Sequence, residues 1–332
     1  MALTINTNIS SLVAQRNLNK ATNSLNTAIE RLTTGYTINH AKDDAAGYSI
    51  SDLWVTQLGS LDVASDNAAT GADMLSTAEE TYSLLVGHLQ RIRDLTEQAA
   101  NGTYGSASLK AINAEVVVRL QEINRISSNA EFNGIQLMDG TGVGTNGLNL
   151  QVGLYADENS IINLSQTLFS DASLKGLFTD LADVESPGGK KLSELLTGAK
   201  SGATVADLKT NANKSLEAFA AVCSGLKYDG ENLVLQKTED YEPMQMLGFL
   251  DAAITDISDR VTRIGAAQNR LTSAISALDV QSQNITSSLS TLRDTDVAKE
   301  SSNYLQAQIL QQASATLLST ANQLPSVALN LL

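Results

Sequence analysis

The chain has 332 residues, a net charge of −14 and 4% aromatic residues. This acidic balance argues against a nucleic-acid-binding protein, which needs clustered lysine and arginine. The single cysteine, Cys223, excludes an intramolecular disulfide framework, and the scarcity of aromatic residues predicts a core of alanine, leucine, isoleucine and valine. The prolines are Pro187, Pro243 and Pro325, so long uninterrupted helices can form before residue 187.

Both chain ends are almost free of charge. The segment from Ser301 to Leu332 has no acidic, basic or histidine residue, and the residues before Glu30 include only Arg16 and Lys20 as charged side chains. A surface helix of a soluble protein has a charged face, and a membrane helix has about 20 predominantly apolar residues. Because these amide-rich ends have neither, we predict helices that pack against other copies of the chain and do not insert into a membrane.

The N-terminal helix is predicted from apolar residues at helical spacing, with Leu18, Leu25 and Leu32 as its packing residues. The first residues lack the basic leader and apolar block of a cleavable secretory signal. We therefore expect a protein that leaves the cytoplasm only if a dedicated exporter recognises its N-terminus.

A compact charge cluster follows this helix at Lys42, Asp43 and Asp44. It has the composition of a small cation site, but an aspartate that caps the next helix explains it better. That next helix carries a seven-residue stripe that includes Leu61, Leu75 and Leu89, and it should end at Asn101-Gly102. A third helix is predicted to begin near Ser106 or Ser108.

Between residues 132 and 164 the spacing changes from helical to alternating, which predicts one or two β-hairpins. The segment GVGTNG at Gly142–Gly147 has the glycine spacing of a dinucleotide-binding loop, but strand-like residues follow it. We therefore interpret it as a hairpin turn. Residues 171–243 have mixed character and predict a small α/β insert, either an accessory domain or an elaborated surface loop.

The strongest pattern lies near the C-terminus, where apolar residues recur at seven-residue steps and predict one long coiled-coil-like helix. The residues of this helix that we assign to the shell-domain core are Ile257, Ile264, Leu271, Leu278 and Ile285, and the same spacing continues to Leu292. Burying a large apolar side chain contributes roughly 1.5–3 kcal/mol, whereas fixing one backbone residue costs about 1–2 kcal/mol. One apolar residue in three or four does not offset that cost, so the helices from both ends must pack against each other.

The fold class that follows is mainly α, with long coiled-coil-like helices contributed by both chain ends, one or two β-hairpins and the small variable α/β insert. We predict five segments. An inner domain is formed by residues 1–41 and 292–332, a helical shell domain by residues 42–170 and 244–291, and the surface-exposed insert by residues 171–243.

This sequence contains few residues of the kinds that act in enzyme active sites. The two histidines, His40 and His88, are far apart, and neither H-E-x-x-H nor G-x-S-x-G occurs. We expect no catalytic residue, no metal ligand and no cofactor.

Several long segments resemble bacterial flagellins, in the order in which that family has them. Tyr36 and Thr37 depart from the family pattern, which usually has an apolar residue and arginine there. The segments are RLTTGYTINHAKDDAAGYSIS (Arg31–Ser51), LQRIRDLTEQAANGT (Leu89–Thr103), EFNGIQLMDG (Glu131–Gly140), IGAAQNRL (Ile264–Leu271) and the run from Leu292 to Pro325.

The resemblance implies a structural subunit of the extracellular flagellar filament, exported unfolded through the flagellar type III apparatus. Its partners would be many copies of itself, the cap protein, junction proteins and an export chaperone. The terminal helices would pack around the export channel through Leu18, Leu25, Leu32, Leu305, Ile309 and Leu317. Alternative packings of the shell helices and hairpin would set the supercoil.

In family members detected by the animal toll-like receptor for flagellin, the contact residues correspond here to Arg91, Leu95 and Glu115. Glu97 departs from the small or apolar residue that is common in this block. Two alternatives remain for the whole chain. A hook–filament junction protein shares the terminal helices, although the intact blocks after Leu89 favour the filament subunit. An enzyme within residues 171–243 is disfavoured because this insert has no histidine.

Overall fold

The computed structural model describes residues 8–140, 147–155, 157–179, 181–182, 185, 190–200, 203–205, 208, 214–229, 232–235 and 242–330. Within these ranges the chain is mainly helical, with three short antiparallel strand pairs, which confirms the predicted fold class. The helices are α1 (Ile9–Thr34), α2 (Ala45–Ala100), α3 (Ser106–Asn129), α4 (Leu174–Thr179), α5 (Leu192–Ala199), α6 (Lys214–Cys223), α7 (Glu242–Arg293) and α8 (Val297–Asn330).

The helix ends follow local sequence signals. The Asn8 side chain accepts a hydrogen bond from the backbone N–H of Ser11 and caps α1, which ends at Gly35 in the left-handed region with φ of 76°. Helix α2 ends directly before the predicted stop at Asn101-Gly102, and α3 begins at Ser106, as predicted. Pro243 lies in the first turn of α7, where its missing N–H is tolerated.

The strands form hairpins in chain order: β1 (Glu131–Phe132) with β2 (Ile135–Gln136), β3 (Leu148–Gln151) with β4 (Ile161–Leu164), and β5 (Leu226–Asp229) with β6 (Asn232–Leu235). The first turn places Asn133 and Gly134 at φ of 49° and 79°. One or two hairpins were predicted between residues 132 and 164, and two are present. The GVGTNG segment occupies Gly142–Gly147, and its residues 142–146 lie outside the described residues.

The chain divides into two compact units. The first consists of Met1–Leu61 and Val280–Leu332, and the second of Asp62–Asp279. The predicted domain boundaries follow helix ends, whereas these units divide within α2 and α7. Both long helices therefore contribute residues to each unit.

In the second unit, one hydrophobic core joins α2, α3 and α7 to the described residues of 171–243. Phe178 and Phe219 meet edge to face with ring centroids 5.0 Å apart. The Asn113 side chain donates to Ser224 Oγ at 3.2 Å, so α3 also contacts the end of α6 through buried polar groups. The predicted α/β character of the insert is confirmed, and its described helices are packed into the core of this unit.

Candidate subunit-packing surface

Helices α1 and α8 form an antiparallel pair in the first unit. Their contact is a row of small buried side chains, which we call the small-residue seam. In both helices its members recur every seven residues, so each helix presents one narrow face to the other. The seam consists of Ala14, Ala21 and Ala28 on α1, and Ala307, Ser314 and Ala321 on α8.

The leucines and the isoleucine predicted as packing residues fall into two groups. Leu18, Leu25 and Leu32 are half-buried at the edge of the seam. On α8, by contrast, the predicted residues are 55–64% exposed in the single chain: they are Leu305, Ile309 and Leu317. Sequence periodicity did not separate these groups. It placed Ala21 and Ala28 on the apolar stripe of α1, but it gave no role to the small residues of α8, although their seven-residue spacing was a visible signal.

Helix α1 also exposes large apolar side chains, since Ile9 and Leu12 are 67% and 61% exposed. Helix α8 has no charged residue after Glu300. A helix that exposes large apolar side chains without a charged face is typical of a surface that is buried in an assembly.

Neutral hydrogen bonds connect the two helices along their length. Asn8 Nδ2 donates to the Ala321 carbonyl at 2.7 Å, and Gln311 Nε2 donates to Thr22 Oγ1 at 3.2 Å. Among the residues of the pair that the structure describes, one ion pair joins the helices, between Arg31 Nη1 and Glu300 at 3.8 Å. These contacts fix which residues of α1 lie opposite which residues of α8.

The segments between the helices meet at one corner of the first unit. The Thr37 N–H donates to the Arg293 carbonyl at 2.7 Å, and the Thr295 N–H donates to Gly35 at 2.8 Å. The Arg293 guanidinium lies 4.3 Å from the centre of the Tyr36 ring, a cation–π contact. Tyr36 and Thr37, which depart from the pattern of the segment that contains them, therefore both make contacts at this corner.

The charge cluster before α2 acts as a helix cap. Asp44 Oδ1 accepts from the backbone N–H groups of Ala46 and Gly47, each at 3.0 Å. Asp43 Oδ2 accepts from the His40 N–H at 2.9 Å, and this hydrogen bond holds the pKa of Asp43 below its usual value. The capping interpretation is confirmed. Within the described residues, no group of three or more His, Cys, Asp or Glu side chains is placed to hold a metal ion.

The predicted shell-domain core is buried in the single chain over most of its length. Ile285 differs because it is half-buried; it belongs to the first unit, as Leu61 does. The residues that are at most 7% exposed are Leu61, Leu75, Leu89, Ile257, Ile264, Leu271 and Leu278.

The exposed face of α2 and α3 in the second unit carries an ion pair between Arg91 Nε and Glu115 Oε1 at 2.9 Å. Its hydrogen bonds raise the pKa of Arg91 and lower the pKa of Glu115. Leu95, assigned to the same contact by resemblance, is only 2% exposed. A ring nitrogen of His88 lies 3.4 Å from an Arg119 Nη atom. The pKa of this histidine is lowered mainly by its burial and also by the positive charge of Arg119.

Comparison with known proteins adds to this geometry. The model of the bacterial flagellin N-terminal helical region matches residues 5–142, and that of the C-terminal helical region matches residues 247–332. Polar flagellin C of Vibrio parahaemolyticus is 33% identical over 386 aligned positions, covering 100% of both chains. Flagellin A of Vibrio anguillarum is 33% identical over 381 positions with the same coverage.

The chain belongs to the bacterial flagellin family. As a flagellin, it is a structural subunit of an extracellular filament of many copies, and its family is not one of enzymes. The crystal structure of Bacillus cereus flagellin is 21% identical, with a TM-score of 0.40 over 64% of this chain and 88% of that one. Among the described residues of this flagellin, no helix is long and apolar enough to span a bilayer.

Proposed function

We propose that this flagellin polymerises through the exposed apolar faces of α1 and α8. The observation that carries the proposal is the exposure of large aliphatic side chains on two helices that pair through small residues. Burying each such side chain against a neighbouring subunit contributes roughly 1.5–3 kcal/mol. The absence of charge on α8 after Glu300 means that this packing buries no unpaired charge there.

The pathway we propose is export of the unfolded chain through the flagellar type III apparatus with an export chaperone, followed by assembly beneath the cap protein and onto junction proteins. The terminal helices would surround the channel, and residues 171–243 would face outward. Neighbouring shell helices and hairpins would pack in alternative ways to set the supercoil. The family assignment and the nearly uncharged chain ends support this pathway.

The test of polymerisation uses the substitutions Leu317→Asp and Ile309→Asp. Each places a charge where the proposal requires apolar burial, so seeded elongation should fall by at least about tenfold. The matched control is Leu317→Met, which keeps an apolar side chain of similar size and should elongate normally. Filaments are measured by sedimentation and electron microscopy, and circular dichroism verifies that each variant is folded. Normal filaments from the aspartate variants would contradict the proposal.

The same experiment addresses the hook–filament junction alternative. A filament subunit should extend seeds into long fibres by itself, because every added copy presents the same surface to the next one. A junction protein should add only a short layer. Long fibres made from the purified chain would therefore exclude the alternative, and seeds that stop after a short layer would favour it.

We further propose that the α2–α3 face is recognised by the animal toll-like receptor for flagellin. The exposed Arg91–Glu115 pair supports this proposal, because charged side chains on neighbouring helices present a defined polar surface. Leu95 is buried, so its role would be to position α2 beneath that surface. Arg91→Ala and Glu115→Ala should each weaken binding of the receptor ectodomain about tenfold, whereas Lys110→Ala, also on α3, should not. Unchanged affinity in both pair variants would contradict this proposal.

A further inference from the structure

The small-residue seam does not by itself select one alignment of α1 against α8. Alanines recur every seven residues on α1, and Ala307, Ser314 and Ala321 recur every seven on α8. If one helix slides by seven residues, small side chains again lie opposite small side chains. Repetitive apolar contacts of this kind specify register weakly, and a single polar position often provides the discrimination.

Glu300 is the position that breaks this repetition. It lies seven residues before Ala307, on the same face of α8, and it is only 7% exposed. Among the buried residues of the described chain, it is the one with a charged side chain. Its carboxylate lies 3.8 Å from Arg31 Nη1, at the end of the seam where α1 finishes.

We infer that the Arg31–Glu300 pair is a positioning pair that selects the register of α1 against α8. A slide of seven residues in one direction places Glu300 opposite residue 24 and leaves Arg31 beyond the start of α8 at Val297. A slide in the other direction places Glu300 near the buried Ile38. Each shifted register leaves a buried carboxylate without its cation, and a buried unpaired charge is strongly disfavoured.

The remaining basic residues of α1 do not replace Arg31. Arg16 and Lys20 both lie on its exposed face, away from the seam. The other contacts between the helices join neutral groups at sites at least partly open to water, such as Asn8 with Ala321 and Thr22 with Gln311. Water can replace those hydrogen bonds after a slide at small net cost. The buried Glu300 carboxylate keeps the hydrogen bond that it accepts from Asn303 Nδ2 within α8, but after a slide it loses its cation, and no other basic residue of α1 replaces that cation.

The inference rests on the proposed function, because the register determines which apolar side chains of the pair lie next to each other on the surface offered to a neighbouring copy. In the observed register, Leu317 and Ile309 of α8 and Ile9 and Leu12 of α1 are all exposed. A shifted pair would present a different arrangement, and neighbouring subunits would no longer match.

Cysteine cross-linking in the full-length chain measures the register directly. The reporter T22C/Q311C joins positions whose side chains are hydrogen-bonded in the observed register. The reporters T22C/Y304C and T22C/L318C join positions that meet only after a slide of seven residues. Peptide mass spectrometry separates these cross-links from any that involve Cys223, which is buried.

The test compares each reporter in the unchanged background and in three charge variants: Arg31→Glu, Glu300→Arg, and the double exchange of both. The unchanged chain should form mainly the T22C/Q311C cross-link. In each single variant, the yield of a shifted cross-link relative to the T22C/Q311C cross-link should rise by about tenfold or more. The double exchange should restore the ratio of the unchanged chain. Lys299→Glu, at the exposed neighbouring position, is the matched control and should leave the ratio unchanged.

Two further measurements distinguish failure of the register inference from unfolding of a variant and from failure of the proposed polymerisation. Fluorescence of Trp54, the single tryptophan, shows whether the first unit is folded, and Glu300→Gln serves as a milder variant if Glu300→Arg does not fold. Sedimentation reports filament formation, so failure of the proposed function appears as the absence of filaments from the unchanged chain. An unchanged cross-link ratio in the folded charge variants, or a double exchange that does not restore the ratio, would overturn the register inference.

Discussion

At the scale of single residues, burial changes the acidity of two side chains in the core of the second unit. Cys223 is fully buried, and this raises the pKa of its thiol to about 12. Burial likewise raises the pKa of Tyr82, whose hydroxyl donates to the Leu168 carbonyl at 2.9 Å. Both side chains therefore stay neutral in the folded chain at pH values where the unfolded chain begins to ionise.

The first residue-scale prediction concerns stability at alkaline pH. A thiol in the unfolded chain has a pKa near 8.5. Above that pH the unfolded state loses a proton that the folded state keeps, so the free energy of unfolding should fall as pH rises toward about 12. The expected slope from Cys223 is about 1.4 kcal/mol per pH unit. Urea unfolding at a series of pH values measures it.

The control for that prediction is Cys223→Ala, which removes the titrating group. This variant should be less stable at neutral pH because it leaves a small cavity, but its stability should decline less steeply above pH 9. The tyrosine contribution remains in the variant and appears at higher pH. Parallel pH curves for the two chains would show that the buried thiol does not contribute.

At the scale of secondary-structure elements, two glycines within helices have opposite surroundings. A Cβ atom at Gly87 in α2 would have no heavy atom within 4 Å. A Cβ atom at Gly176 in α4 would lie 2.1 Å from the backbone oxygen of Asp171, which is an impossible contact without a backbone shift. Helix propensity favours alanine at both positions, so only packing distinguishes them.

We expect Gly87→Ala to stabilise the second unit by roughly 0.8–1 kcal/mol, because alanine favours the helix over the unfolded chain. The melting temperature should rise by about 2–4 °C. Gly176→Ala should instead destabilise the unit by about 1–3 kcal/mol, because α4 must move away from the preceding loop. Thermal unfolding by circular dichroism compares the two, and equal shifts of the same sign would contradict the packing argument.

The elements differ in how far the sequence predicts them. The seven-residue stripe from Ile257 predicts α7, because apolar residues repeated along one face are sufficient to indicate a helix. Glycine-containing turns indicate where the hairpins lie. The ion pair of Arg31 with Glu300 was not predicted, because its partners are brought together only by the pairing of the two chain ends. The packing of the described residues of 171–243 into the core was also not predicted, because short segments of mixed character have no periodic pattern that indicates what they pack against.

At the scale of the whole molecule, the two units are built on different principles. The second unit buries large side chains, including Tyr82, Phe178 and Phe219, in a continuous core. The α1–α8 pair of the first unit buries mainly alanine and leaves several large aliphatic side chains exposed. Less apolar area is therefore removed from water around α1 and α8 in the single chain, and their stabilisation depends more on neighbouring copies.

This difference predicts how amide hydrogen exchange changes on assembly. In dilute monomer, exchange should be rapid before about residue 40 and after about residue 295, whereas amides near Ile257 and Ile264 should be protected. In filaments, α1 and α8 should become protected because neighbouring copies cover Leu305, Ile309 and Leu317. Leu317→Asp under the same conditions should show no such gain. If α1 and α8 of the dilute monomer were as slow to exchange as the core of α7, the single chain would already supply their stability, and assembly would not be needed to explain it.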